Sequence, residues 1–180
     1  NVGKTFWVSD YAGSNTRRIG SKDNFIYNNT VFIPSKNPAN NNTPFDHLQI
    51  FIRPNTKETY IYNNLIYISD KAKLKIDTRN DGTMNDWKNN LFYGNLIIDG
   101  SSDYEHNGTE LFTNPLLVNP GGTTANDYKL QSISPALGTG YIINGSSDSK
   151  NYIQNNGGRD YFGNSVSSDS KPNIGAYNGN

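Results

Sequence analysis

Cysteine is absent from this 180-residue chain, which excludes disulfides and thiolate chemistry. No apolar run approaches the roughly 20 residues that span a bilayer as a helix, so no membrane span is expected. Net charge is missing too, since 16 Lys and Arg balance 16 Asp and Glu. Without a basic excess the chain has little means of displacing counterions from a phosphate backbone, which argues against nucleic acid as a main partner. Hydrophobic residues make up only 33% and mean hydropathy is −0.74, polar values for a globular protein. Disorder does not follow, because 12 Tyr, 8 Phe and 2 Trp supply apolar area. Asn is abundant, with 29 copies. It tolerates left-handed backbone and builds side-chain turns. Length and composition point to one all-β domain with a real core and many tight turns. The opening NVGKTFWVSD resembles neither a translation start nor a signal peptide, so the chain is expected to be a piece of a longer protein.

Three segments align without gaps: 25–33 (FIYNNTVFI), 60–68 (YIYNNLIYI) and 86–94 (DWKNNLFYG), spaced by 35 and then 26 residues. Further strand-like runs stand between them at 48–53 (LQIFIR) and 73–77 (KLKID). A hairpin array would show turn signals at about 8–12-residue spacing. The longer period is that of a stacked repeat, in which each strand pairs in parallel with its equivalent about 4.8 Å away. Paired asparagines in mid-strand are then a corner. One Asn stacks on its equivalents as an amide ladder, and the other takes the left-handed turn. Alternation with the turn at the second Asn directs Ile26, Asn28, Val31 and Ile33 inward, with Ile61, Asn63, Ile66 and Ile68, and then Trp87, Asn89 and Phe92. It directs Tyr27, Tyr62 and Lys88 outward on one strand, and Phe32, Tyr67 and Tyr93 on the next. Residues 1–95 read as repeated coils and 96–180 as a terminal coil with a wrap-around cap, since a stacked array must cover its open edge.

These repeats resemble the parallel β-helix repeat of the pectate-lyase-like superfamily. The tail, FTNPLLVNPGG, DYKLQSISPALGTG, NNGGRDYFGN and PNIGAY, is similar to the C-terminal closure of secreted bacterial β-helix proteins of the polysaccharide lyase and glycoside hydrolase type. Two positions depart from that closure: Asn114 stands where an acidic residue is usual, and Asn178 where the final GAY is followed by Glu. The resemblance spans about residues 24–178. It implies a right-handed parallel β-helix, a secreted or cell-surface location, and complex carbohydrate as substrate or ligand. It also implies coils of the same protein upstream. The superfold hosts lyases, hydrolases, epimerases and adhesins, so a non-catalytic carbohydrate-binding module is the alternative to an enzyme.

A lyase needs a base, often with a cation that neutralises a carboxylate, whereas a hydrolase needs two carboxyl groups. Asp46 and His47 precede the strand LQIFIR and Arg53 closes it, offering an acid, a base and an anion clamp; the plain alternative is a polar loop end. Asp77, Arg79 and Asp81 cluster in IDTRNDG, which is also common turn composition. Asp46, His47 and Asp77 are the catalytic candidates. Tyr27, Tyr62, Tyr67, Arg53 and Arg79 are the substrate-binding ones, with mutual ring stacking under covering loops as the alternative for the tyrosines. Asp10 with Arg17 and Arg18 follows Phe6 and Trp7, of which one is expected to fill the core. His106 reads as a solvated loop residue, and Arg159 with Asp160 as a structural pair in the cap. Ser101 and Ser146 lack a partner His, so a serine nucleophile is unsupported. The Asn-x-Ser/Thr sequons at Asn28, Asn41, Asn107 and Asn144 are expected by chance in so Asn-rich a chain. No His and Asp spacing makes a transition-metal site; calcium held by Asp and Asn oxygens is compatible with the composition but unmarked.

Overall fold

A computed structural model describes residues 4–8, 21–37, 40–44, 48–52, 56–78, 85–98, 104, 107–143 and 157–179. These residues are almost wholly β-strand, turn and extended chain, with one 3-10 turn at Ala125–Tyr128. The strands are β1 (Lys4–Val8), β2 (Lys22–Tyr27), β3 (Thr30–Ile33), β4 (Lys36–Asn37), β5 (Asn40–Pro44) and β6 (Leu48–Ile52). They continue with β7 (Lys57–Tyr62), β8 (Leu65–Ile68), β9 (Leu74–Thr78), β10 (Asn85–Lys88), β11 (Leu91–Tyr93) and β12 (Leu96–Ile98).

Among the described residues three parallel sheets result, besides the antiparallel β4–β5 pair. The first has the order β1-β6-β9-β12, the second β10-β7-β2 and the third β11-β8-β3. Every neighbouring pair in them is parallel. The chain thus visits the first, second and third sheets in turn, repeatedly. Register follows the repeat alignment: Ile26 pairs with Ile61 and Ile61 with Trp87, while Val31 pairs with Ile66 and Ile66 with Phe92. The first spacing of the repeat is 35 residues against 26 for the second. The antiparallel β4–β5 hairpin, running from residue 36 to 44, accounts for the extra nine.

Apolar side chains of all three sheets meet in one core. Ile50, Ile52, Leu74 and Ile76 come from the first sheet, Ile61 and Trp87 from the second, and Ile33, Ile66, Ile68 and Phe92 from the third. Phe6 packs against this core, as expected of one of the pair Phe6 and Trp7. β-Branched and aromatic residues dominate these strands because they fit a pleated, half-buried surface.

The Asn-Asn corners differ from the expectation in one respect. The left-handed residue is the first Asn of each pair: Asn28, Asn63 and Asn89 have φ of 53°, 55° and 49°. The ladder runs through the second. Asn29 Nδ2 donates to Asn64 Oδ1 at 2.9 Å, and Asn64 Nδ2 donates to Asn90 Oδ1 at 3.0 Å. The same oxygens accept the backbone N–H of Asn29 and Asn64. Counting alternation forward from Ile26 turns residue 28 inward, whereas counting back from Val31 turns residue 29 inward. The two counts must break somewhere, and the left-handed φ puts the break at 28.

The first asparagines therefore face away from the ladder, and Asn63 and Asn89 hold the C-terminal segment. Asn63 exchanges two hydrogen bonds with the backbone of Tyr141, Nδ2 to O at 2.9 Å and N to Oδ1 at 2.6 Å. Asn89 Nδ2 donates to Thr139 O. Past β12, Leu111 bridges in parallel to Leu91 and its N–H donates to Asn90 O, the bond that Leu65 makes to Asn29 and Leu91 to Asn64. This register gives Glu110, buried, the next ladder position.

Beyond Leu111 the chain lies along the sheets. Leu117, Leu130, Ala136 and Ile174 pack on Leu65 and Leu91 of the third sheet. Tyr141 and Ile143 pack on Tyr60 and Tyr62 of the second. Gly175 makes a close approach here: its N–H donates to Asn63 O at 2.8 Å, its φ is +103°, and a Cβ would meet Thr30 Oγ1 at 2.7 Å.

Candidate functional site

The first sheet carries the catalytic candidate that the structure describes. In β9, Leu74 and Ile76 enter the core, so alternation puts Lys75 and Asp77 on the opposite face. Asp77 keeps only 4% of its surface in contact with solvent. It pairs in register with Phe51 of β6, which pairs with Trp7 of β1. Next in β6 and β9 stand Ile52 and Thr78, also a register pair. Arg53 and Arg79 are the residues that follow this pair in sequence, and Asp46 with His47 precedes Leu48. Asp46, His47, Arg53 and Arg79 lie outside the described residues, as do Asp10, Arg17, Arg18, Asp81 and His106.

The three tyrosines proposed to bind substrate have different surroundings. Tyr62 is fully buried, and this corrects its assignment as a ligand-facing ring. Its hydroxyl donates to Asp86 Oδ2 at 2.6 Å, and Tyr141 lies against it with ring centroids 5.2 Å apart. The outward direction expected for Tyr62 holds, but the downstream segment that contains Tyr141 and Ile143 covers it. Tyr67 lies between Phe32 and Tyr93, at centroid distances of 5.5 and 4.9 Å, and is partly exposed. Burial, then Tyr93 and Asp70, raise its hydroxyl pKa above the ordinary phenol value. Tyr27 is partly exposed at the end of β2 and lines a hollow of about 100 Å³ with Arg159 and Asp160.

Arg159 and Asp160 brace a turn of the C-terminal segment. Arg159 Nη1 donates to Gly163 O at 2.7 Å. The Asp160 carboxylate accepts the N–H groups of Phe162, Asn164 and Asn178 and the Asn164 amide. Burial pushes its pKa up, but these four donors outweigh burial and hold it below the ordinary carboxylate range.

One cluster escaped the sequence reading. Asp86 and Lys88 occupy the outward positions that Tyr60 and Tyr62 hold one repeat earlier. Lys88 Nζ lies 3.1 Å from Asp86 Oδ2 and 4.5 Å from the Tyr141 ring centre. The signal was the break in the repeat, DWK where the preceding copy has YIY. The pair is about one-fifth exposed. Its carboxylate is engaged by both Lys88 and Tyr62, so it serves to hold Tyr141 down on the second sheet. Tyr104, buried edge-on to Trp87 at 4.7 Å, has its hydroxyl pKa pushed above the ordinary phenol value by burial and then by Glu110.

Among the described residues, no three His, Cys, Asp or Glu side chains come together in a way that could hold a metal ion. No described helix is long and apolar enough to cross a membrane. Compared with known proteins, the chain matches no family model, no curated protein and no solved structure.

Proposed function

We propose that the three parallel sheets wind as a right-handed β-helix belonging to a secreted or cell-surface carbohydrate-active protein. On this reading the protein degrades a complex polysaccharide, as a glycoside hydrolase or a lyase. The repeated passage through the same three sheets supports the winding, and the strong preference of parallel crossovers for the right hand supports the handedness. The observation that carries the functional reading is the in-register pairing of β6 with β9. It joins Asp77 to the strand flanked by Asp46, His47 and Arg53, on the one sheet of the three whose outward face does not receive the C-terminal apolar clusters among the described residues. On this reading Asp77 supplies a carboxylate, Arg53 and Arg79 bind an anionic or hydroxyl-rich sugar, and Asp46 and His47, which precede β6 in sequence, serve a neighbouring position along the same sheet and not the immediate partner of Asp77.

The second reading is a non-catalytic carbohydrate-binding module. It is favoured by the engagement of Asp86 in an ion pair with Lys88, which withdraws that carboxylate from acid–base work. The two separate on a panel of plant, algal and microbial polysaccharides. Release of reducing ends alone marks a hydrolase, and release together with ultraviolet-absorbing unsaturated uronates marks a lyase. Retention on the same polysaccharides in gels without any release supports the module, and neither release nor retention refutes both.

A further inference from the structure

The C-terminal segment forms two adjoining hollows that share a wall. The first, of about 100 Å³, is polar and lined by Tyr27, Asn28, Arg159 and Asn178 among others. The second, of about 170 Å³, is lined by Tyr128 and Phe162 with the small side chains of Thr30 and Ala125. Tyr161 and Ala176 line both.

Tyr161 is 74% exposed, yet it is firmly placed. Its ring stands edge-on to Phe162, with centroids 5.1 Å apart, and Phe162 stands edge-on to Tyr177 at 5.4 Å. Its N–H donates to Ala176 O, and the neighbouring Asp160 gathers four hydrogen bonds that fix the loop. Lys129 Nζ sits 4.8 Å from the Phe162 ring centre. An accessible ring held in place spends little entropy on binding, and an apolar wall beside converging polar groups matches a ring-shaped ligand with one apolar face and a hydroxylated rim. Both hollows are smaller than the roughly 300 Å³ at which drug-sized pockets begin, so the ligand is a single ring.

We infer that Tyr161 is the stacking platform of a carbohydrate subsite for one pyranose unit. The C–H face of the sugar lies on the Tyr161 ring in the aromatic hollow, and its hydroxyls turn toward Tyr27 and Arg159 in the polar one. The inference rests on the carbohydrate reading for the class of ligand. Its place is different, because it is built on the C-terminal segment and the corner between the second and third sheets, not on the first sheet.

The test is a titration of the protein with methyl glycosides of hexoses, xylose and hexuronic acids, followed through the tyrosine and phenylalanine ring signals by NMR. At least one glycoside should shift the Tyr161 and Phe162 signals saturably. Tyr161→Phe should keep the response, Tyr161→Ala should weaken it by at least about tenfold, and Asp77→Asn should leave it unchanged. Equal binding by Tyr161→Ala, or a response confined to first-sheet residues, would overturn the subsite and leave the carbohydrate reading standing. Shifts that follow protein concentration instead of sugar would mark a self-association face and overturn it as well. Silence toward every glycoside also overturns the subsite, and the polysaccharide panel then decides separately whether the carbohydrate reading survives.

Discussion

Replacing Asn64 tests the corner most sharply. Its side chain is fully buried. It donates to Asn90 Oδ1 at 3.0 Å and Ile26 O at 2.9 Å, and accepts from Asn29 N at 3.2 Å and Nδ2 at 2.9 Å. Asn64→Ala removes all four bonds, at about 1 kcal/mol each, and leaves the Asn29 N–H without this acceptor at about 1–3 kcal/mol. Asn29 Nδ2 keeps its bond to Tyr27 O, which limits the damage. The sum is about 5–7 kcal/mol, a large share of the roughly 5–15 kcal/mol that holds a typical domain together. Asn63→Ala removes the two bonds to Tyr141 and forces alanine into a left-handed φ, costing about 3 kcal/mol. Asn63→Gly loses the same bonds but is at ease at φ 55°, so it costs about 1 kcal/mol less than Asn63→Ala. At position 64 the preference reverses, because glycine there only adds unfolded-state entropy. Guanidinium unfolding followed by circular dichroism reads all four variants. Glycine tolerated better than alanine at 64 but not at 63, or a loss below about 1 kcal/mol in Asn64→Ala, would refute the assignment of ladder and turn.

Two further expectations concern the C-terminal segment. Gly175→Ala puts a Cβ against Thr30 Oγ1 and Leu65 Cβ at a φ of +103°; it should cost at least about 2 kcal/mol and speed limited proteolysis after residue 157, and unchanged cleavage would show that this approach is not tight. The folded Asp160 pKa lies below its unfolded value of about 3.9, so its stabilisation is complete above that value and is lost as pH falls through the lower folded one. Hydrogen exchange at Phe162, Asn164 and Asn178 should therefore accelerate only in that acid range, whereas Asp160→Asn should exchange quickly at every pH; a wild-type profile that is flat into strong acid would contradict the network.

Much of the strand architecture was legible because it repeats. The gapless match of FIYNNTVFI, YIYNNLIYI and DWKNNLFYG is the register in which β2, β7 and β10, and β3, β8 and β11, pair. Inward Ile26, Ile61, Val31 and Ile66 followed from alternation. Two things were not legible. Composition cannot say which of two adjacent asparagines takes the left-handed φ, since both are competent; tertiary contacts decide it, through the Tyr141 backbone held by Asn63. Nor could local pattern announce that Tyr62 would be covered, because its cover arrives from Tyr141 and Ile143 in a segment with no repeat. For the candidate site, the sequence singled out Asp77 and its neighbours. Parallel pairing of β6 and β9 puts their strands side by side, a relation invisible in a linear chain because the two are 26 residues apart.

If the first sheet works on polysaccharide as proposed, it does so through Asp77. Reducing-end release from the responsive polysaccharide, compared between the wild-type protein and Asp77→Asn at equal folded concentration, tests it most directly. Release by the wild type and a loss of at least about 100-fold in the variant are expected, the scale of a missing acid–base group. Release that continues unchanged in Asp77→Asn would contradict it.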